Sequence, residues 1–171
     1  MNKALAGADI GAVWGWLGGI PDPEIPALSI VDLGIVREVR WADRDGRREL
    51  VVTITPTYSG CPAMTAIGLA IESELRARGV AVYRLERRLA PPWTTDWISD
   101  AGRRRLAASG IAPPAGSATL HTRSQRQSRI IACPRCGSEN TIRVSAFGST
   151  PCKAQYRCAD CLEPFDYFKC I

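Results

Sequence analysis

A chain of 171 residues, 46% hydrophobic and 23% charged, is long enough to bury a core and suits one ordinary domain plus a small module. A net charge of +5 and a pI near 9.0 permit an acidic partner without demanding nucleic acid. Seven cysteines, an odd number that includes two Cys-x-x-Cys pairs, fit a reducing compartment with metal binding better than a disulfide framework.

The apolar N-terminus is broken by Asp9 and several glycines and ends by Ile20. It makes a poor signal peptide and is too short to span a membrane, so the expected location is cytoplasmic. Within it Ile10, Val13, Trp14 and Leu17 recur at helical spacing, which predicts a short amphipathic helix stopped by Gly18-Gly19. Pro21-Asp22-Pro23-Glu24-Ile25-Pro26 carries three prolines and is expected to be extended. Asp22 and Glu24 lie in this stiff loop, and Asp32 follows in Val31-Asp32-Leu33-Gly34. Each carboxylate is explained by turn and cap chemistry, or together they form an acidic loop facing a functional group elsewhere.

Residues Ile35 to Trp41 and Leu50 to Thr55 read as antiparallel strands joined by the turn Asp43-Arg44-Asp45-Gly46. The turn Pro56-Thr57-Tyr58-Ser59-Gly60 leads to Cys61-Pro62, and Pro62 suits a first helical turn because its missing N–H needs no partner there. Met64, Ile67, Ile71 and Leu75 then share one helical face up to the stop at Gly79. Cys61 thus falls where a strand passes into a helix N-terminus, whose unpaired N–H groups stabilise a thiolate and are expected to make this thiol unusually acidic. The alternative is a small buried apolar side chain. Val80 to Leu89 is the third expected strand, with Arg84, Glu86 and Arg88 on one face. Helix, two strands, helix, strand predicts an α+β sandwich with its helices on one sheet face.

Pro91-Pro92-Trp93-Thr94-Thr95-Asp96-Trp97 breaks this pattern and forms either a core lid or a partner surface. Ser99 caps a further helix running through Leu106 to Ser109, with Arg103-Arg104-Arg105 as a solvated face. Residues 111–129, with Pro113-Pro114-Ala115-Gly116-Ser117 and recurring Arg123, Arg126 and Arg129, read as a linker. The single histidine, His121, lies in it and is expected to be exposed.

Cys133-Pro134-Arg135-Cys136-Gly137 and Cys158-Ala159-Asp160-Cys161 form two metal knuckles. Two residues between thiolates let both sulfurs of a pair reach one ion, and four thiolates in a tetrahedron suit Zn²⁺ at a closed structural site, with iron as the alternative. The intervening 21 residues accommodate Thr141-Ile142-Arg143-Val144 and Gln155-Tyr156-Arg157 as strands, which predicts a zinc ribbon over residues 130–171. Gly137 follows the first pair, whereas Leu162 occupies the matching place after the second. Cys152 and Cys170 are left over as structural thiols, although with Cys61 they leave open a second thiolate site.

Asp22-Pro23-Glu24, the run from Ser29 to Val36, and Thr55 through Cys61-Pro62 together resemble the small domain shared by iron–sulfur cluster assembly factors, over roughly residues 8 to 90. Trp93-Thr94-Thr95-Asp96-Trp97, Phe147 to Cys152 and Phe165 to Cys170 extend the likeness to most of the chain, which resembles the PaaD (PaaJ) family encoded with the bacterial phenylacetyl-CoA epoxidase. The resemblance implies an α/β sandwich of iron–sulfur-assembly type at residues 1–110, a linker at 111–129 and the ribbon at 130–171. It implies a non-catalytic accessory role in phenylacetate degradation, assisting maturation of iron–sulfur or other metal centres of the epoxidase. The partners it implies are the other epoxidase subunits, above all the iron–sulfur reductase. Cys61 corresponds to the family's cysteine, with Asp22, Glu24 and Asp32 as its acidic surroundings, and a transient iron ion or cluster is the implied cargo. A structural or interaction subunit without metal transfer is the competing reading.

Other classes lack residues. A di-iron carboxylate oxygenase needs Glu-x-x-His motifs on a helical bundle, and this chain has one histidine. Neither a Gly-x-Gly-x-x-Gly nor a Walker loop is present. Without a basic stripe interleaved with aromatics, nucleic acid is a poor candidate partner.

Overall fold

A computed structural model describes residues 8–115 and 130–170. The chain forms two compact units, Met1–Trp93 and Thr94–Ile171. The sequence reading places a boundary at 110 instead, and the segment from Thr94 onward goes with the C-terminal unit.

In the first unit, helix α1 (Ile10–Leu17) starts at Asp9, whose carboxylate accepts from the Ala12 N–H at 3.1 Å. It buries Val13 and Leu17 and packs against strand β1 (Val36–Arg44) and helix α2 (Ala63–Ala77). Strand β1 pairs antiparallel with β2 (Arg47–Ile54) through a two-residue turn in which Asp45 and Gly46 have φ of 52° and 73°. Both positions are left-handed, the geometry that lets a tight hairpin follow the strand twist. The hairpin is longer than the apolar pattern indicates because its turn-proximal pairs, Asp43 with Arg48 and Arg44 with Arg47, are polar.

Helix α2 buries Met64, Ile67, Ile71 and Leu75, the stripe expected from spacing, and Gly79 turns the chain at φ 77°. Strand β3 (Tyr83–Arg87) then lies parallel to β2, giving the order β1-β2-β3. It is shorter than expected because Val80 is used to close the helix, its N–H donating to the Leu75 carbonyl at 2.9 Å. Alternation places Leu50, Val52, Ile54 and Leu85 on one sheet face, where a Cβ on Gly68 of α2 would meet Leu85 at 3.8 Å.

The other face explains the charges of β3. Val51 and Thr53 are fully buried beneath long ionic side chains rather than beneath a helix. Arg84 bonds Glu49 at 3.0 Å and contacts Glu86, Arg40 reaches Glu86 at 3.8 Å and Glu38 at 3.4 Å, and Arg88 reaches Glu38 at 3.5 Å. Trp93 is buried and its indole N–H donates to the Leu33 carbonyl at 2.9 Å, so this tryptophan is core packing with a satisfied polar end.

In the second unit, a short 3₁₀ turn at Thr95–Trp97 precedes helix α3 (Asp100–Ala108), capped by Ser99, whose hydroxyl accepts from the Gly102 N–H at 2.9 Å. Arg103 is not simply solvated: its guanidinium donates to the Thr95 carbonyl at 2.7 Å and the Pro114 carbonyl at 3.1 Å. Strand β4 (Ile111–Ala112) opens what reads as linker and pairs parallel with β7 (Pro164–Phe168). This pairing is why Thr94–Ala112 belongs to the second unit. His121 and the basic residues Arg123, Arg126 and Arg129 lie outside the described residues. Strands β5 (Thr141–Ser145) and β6 (Lys153–Cys158) complete a sheet of order β4-β7-β6-β5. Its core is small: Ala112, Ile131, Ala154, Phe165 and Tyr167 beside Cys133 and Cys158. Among the described residues no helix is long and apolar enough to cross a membrane.

Candidate functional site

Two sulfur sites stand in the two units. In the first, the acidic loop is folded back rather than extended. The Asp22 N–H donates to the Leu28 carbonyl at 2.8 Å, the Ile30 N–H to Ile20 at 3.0 Å, and Pro21 bridges Ser29. Asp22 is buried, and its Oδ1 accepts from the N–H groups of Glu24 and Ile25 at 2.9 and 2.8 Å, so one carboxylate oxygen holds the turn that presents Glu24. Glu24 itself is half-buried. Asp32 accepts from the Ser29 hydroxyl at 3.0 Å, and the Asp32 N–H donates back to that hydroxyl at 3.0 Å. These bonds give Asp32 the turn-forming role.

Cys61 is half-buried just ahead of α2. Its N–H donates to the Tyr58 carbonyl at 3.1 Å, which closes the turn after β2. Pro62 takes the cap position with helical backbone and supplies no side-chain cap, so the Cys61 sulfur receives the Ala63 N–H in its place. Glu24 and Asp22 are the acidic residues whose charges act on this thiol. The expectation of an acidic thiol is corrected. Burial pushes Cys61 above the ordinary thiol range, and the charges of Glu24 and Asp22 push the same way. The Ala63 N–H and the Tyr58 hydroxyl pull it down but do not overcome burial and the carboxylates. Tyr58, read from sequence only as turn material, is therefore a hydrogen-bonding neighbour of the thiol; its place three residues ahead of Cys61 across a turn is the available signal.

At neutral pH the thiol form of Cys61 dominates, so alkylation by iodoacetamide is expected to lag behind an unstructured cysteine and to accelerate as pH rises past the ordinary thiol range. Glu24→Gln removes a charge that disfavours the thiolate, so it is expected to speed alkylation of Cys61 at fixed pH. Peptide mapping by mass spectrometry reads both rates, and an unchanged rate in Glu24→Gln would remove that carboxylate from the site.

In the second unit the four knuckle sulfurs of Cys133, Cys136, Cys158 and Cys161 lie within 4.8 Å of one another, the one such cluster of potential metal ligands among the described residues. Cys133 and Cys161 are 3.8 Å apart, sulfur to sulfur, and Cys136 and Cys158 3.6 Å. A tetrahedral ion with metal–sulfur bonds of about 2.3 Å has edges of about 3.8 Å, so the donor set fits Zn²⁺ in number, type and spacing. Backbone N–H groups of Cys161 and Asp160 lower Cys158 to about 7, stabilising its thiolate at neutral pH. Cys136 is favoured as thiolate by the Ser138 N–H, yet the surrounding thiols and burial raise it to about 12. Sulfurs this close cannot all ionise without a cation between them.

Residues between the thiols clamp the two knuckles together. Asp160 accepts from the Ser138 hydroxyl and from the Asn140 side-chain amide at 2.8 Å, and these bonds hold its carboxyl below the usual range. Arg135 and Glu163 pair across the knuckles at 2.9 Å. Gly137 turns at φ 75°, and Leu162 adopts φ 64° at the equivalent place with its side chain exposed. The second knuckle has the same turn as the first and accepts a strained leucine to make it. Leu162→Gly is expected to stabilise the second unit by about 1 kcal/mol. Urea unfolding of the zinc-loaded chain measures this, and a loss of stability would contradict the strain. Cys152 and Cys170 stand outside the cluster, with threonine hydroxyls of Thr150 at 3.0 Å and Thr95 at 3.5 Å respectively. Among the described residues they join no further group of three or more potential metal ligands.

Residues 11–81 match the family described as iron–sulfur cluster assembly protein, and residues 117–169 match the PaaD zinc beta ribbon domain. The first region also aligns with Protein AE7-like 2 of Arabidopsis thaliana, 36% identical over 72 residues, covering 42% of this chain and 48% of that one. A crystal structure of a domain of unknown function, DUF59, from Bacillus anthracis is similar at a TM-score of 0.50 and 27% identity, covering 57% of this chain and 90% of the other. Across 98% of its own length and 96% of the relative's, the chain is 45% identical to the Escherichia coli protein named as the D component of a putative 1,2-phenylacetyl-CoA epoxidase. An assembly-type first unit, a four-thiol ribbon and identity maintained through both establish that this chain belongs to the PaaD family.

Proposed function

We propose that the protein is a cytoplasmic accessory factor of phenylacetate catabolism that assists maturation of an iron–sulfur or other metal centre in the phenylacetyl-CoA epoxidase complex. The observation carrying this reading is the Cys61 thiol held at the head of α2 under the charges of Glu24 and Asp22. The carboxylates that keep a proton on the sulfur also attract a metal cation. A divalent ion arriving there displaces the thiol proton, forms a metal–sulfur bond and reverses the local charge balance. Carboxylate and thiolate together suit iron, and a site with few ligands leaves positions for those of the client. Asp22 holds the loop, Glu24 and Cys61 meet the cargo, and Tyr58 and the Ala63 N–H support the thiolate once the proton has left.

The four-thiol cluster takes zinc and serves as a structural site with no vacant position. The natural client is the reductase subunit, whose iron–sulfur cluster is implied by the family resemblance. Reconstitution from purified components tests the reading. Apo-reductase given ferrous iron and sulfide is expected to gain its cluster faster with this protein than without it, and an equal rate would refute a maturation role. The competing reading is an interaction subunit with no metal transfer, and the raised Cys61 thiol, which keeps its proton at neutral pH, is the observation that favours it.

A further inference from the structure

We propose that Cys136 and Cys161 are the peroxide-sensitive thiols of this chain, and that oxidation of either one joins the two knuckles by a disulfide and expels the zinc. The inference rests on zinc in the four-thiol cluster and not on metal transfer at Cys61. The seven cysteines differ in access. Cys136 and Cys161 are exposed, Cys61 and Cys170 are half-buried, and Cys133, Cys152 and Cys158 are buried. Each knuckle therefore pairs one buried cysteine with one exposed to solvent. The residues flanking the exposed pair, Arg135 and Gly137 at one tip and Asp160 and Leu162 at the other, are exposed as well. A zinc-bound sulfur is held as thiolate, and a thiolate within reach of solvent is the form that peroxide attacks. Access and ionisation thus coincide at Cys136 and Cys161.

Geometry selects the second sulfur. Each exposed cysteine has a buried one across the cluster: Cys136 and Cys158 are 3.6 Å apart, and Cys161 and Cys133 are 3.8 Å apart. A disulfide is about 2.0 Å long, so about 1.6 or 1.8 Å of approach closes either pair. The knuckles stay together meanwhile, because bonds other than metal bonds hold them. Asp160 accepts from Ser138 and Asn140, and the Ala159 N–H donates to the Asn140 carbonyl at 2.8 Å. With hydrogen peroxide as oxidant the chemistry balances. The exposed thiolate attacks one peroxide oxygen, an S–O bond forms, the O–O bond breaks, and hydroxide leaves and is protonated to water. The resulting sulfenic acid is attacked by the buried thiolate, an S–S bond forms, the S–O bond breaks, and a second hydroxide leaves as water. The two sulfurs lose two electrons and the peroxide gains them. Two thiolates remain for zinc, half of its tetrahedron, so the ion departs.

The test adds hydrogen peroxide stepwise to the full-length zinc-loaded protein, against a peroxide-free control. Metal analysis beforehand counts the zinc, and a chromogenic chelator follows its release. Peptide mapping after differential alkylation locates each oxidised cysteine. The expected result is release of about one zinc per chain. A disulfide between Cys136 and Cys158 or between Cys133 and Cys161 should accompany it, while Cys61, Cys152 and Cys170 stay reduced. A dithiol reductant followed by zinc should restore the metal content. C136H/C161H keeps four potential ligands without either exposed sulfur, so it should release zinc several-fold more slowly. The disulfide map of the wild-type protein decides between outcomes whether or not that variant loads zinc. First oxidation at Cys61, Cys152 or Cys170, a disulfide within one knuckle, or zinc retained while other thiols oxidise would each overturn the inference. A chain that purifies without zinc would overturn the zinc assignment along with it.

Discussion

Replacing Cys158 with alanine is expected to release the metal and unfold the ribbon while the first unit remains folded. Cys158 is fully buried, so the change removes one of four ligands and leaves three thiols with no full tetrahedron. Structural zinc contributes about 10–16 kcal/mol to folding of small metal domains. The ribbon core of Ala112, Ile131, Ala154, Phe165 and Tyr167 is too small to replace that contribution. A chelator added to the wild-type protein should have the same effect. Metal analysis with far-ultraviolet circular dichroism and amide exchange follows both units at once. Protection is expected to vanish from β5, β6 and β7 and to persist in β1 and β2. Retention of ribbon protection after zinc loss would mean that packing, not metal, holds the second unit.

Cys61→Ser is expected to reduce iron–sulfur loading of the reductase to the background reached without this protein, with zinc content and folding unchanged. Serine keeps the size of the side chain and can still accept the Ala63 N–H, so the helix start survives. What it removes is the soft donor on which the proposed iron binding depends. Glu24→Gln separates cargo attraction from thiol chemistry. The thiol becomes easier to ionise, yet the site loses negative charge, so loading is expected to fall even as alkylation of Cys61 accelerates. A rise in both would show that thiolate availability alone limits the transfer. Normal loading by Cys61→Ser would favour the interaction-subunit reading.

Much of this arrangement is legible in the order of residues because it is local. Asp45-Gly46 between β-branched runs specifies the hairpin, and the stripe Met64, Ile67, Ile71 and Leu75 specifies α2. Two-residue spacing identifies the knuckles. What depends on distant neighbours is not legible in this way. The parallel placement of β3 and its ionic face arises from tertiary pairing. Strand β4 has two residues and is a strand only because β7 lies beside it. The helix start ahead of Ala63 is readable, whereas the acidity inferred from it is not. Burial and the carboxylates of Glu24 and Asp22 reverse the sign that local backbone chemistry sets for Cys61. Leu162 departs from local preference because the knuckle geometry imposes a left-handed turn at that residue.

Anaerobic loading with ferrous iron, followed by counting zinc and iron in wild type and Cys61→Ser, separates the two sulfur sites most directly. The expected result is about one zinc in each protein and iron only in the wild type. Equal iron in both, or loss of zinc together with iron in Cys61→Ser, would contradict a cargo thiol that acts apart from the structural cluster.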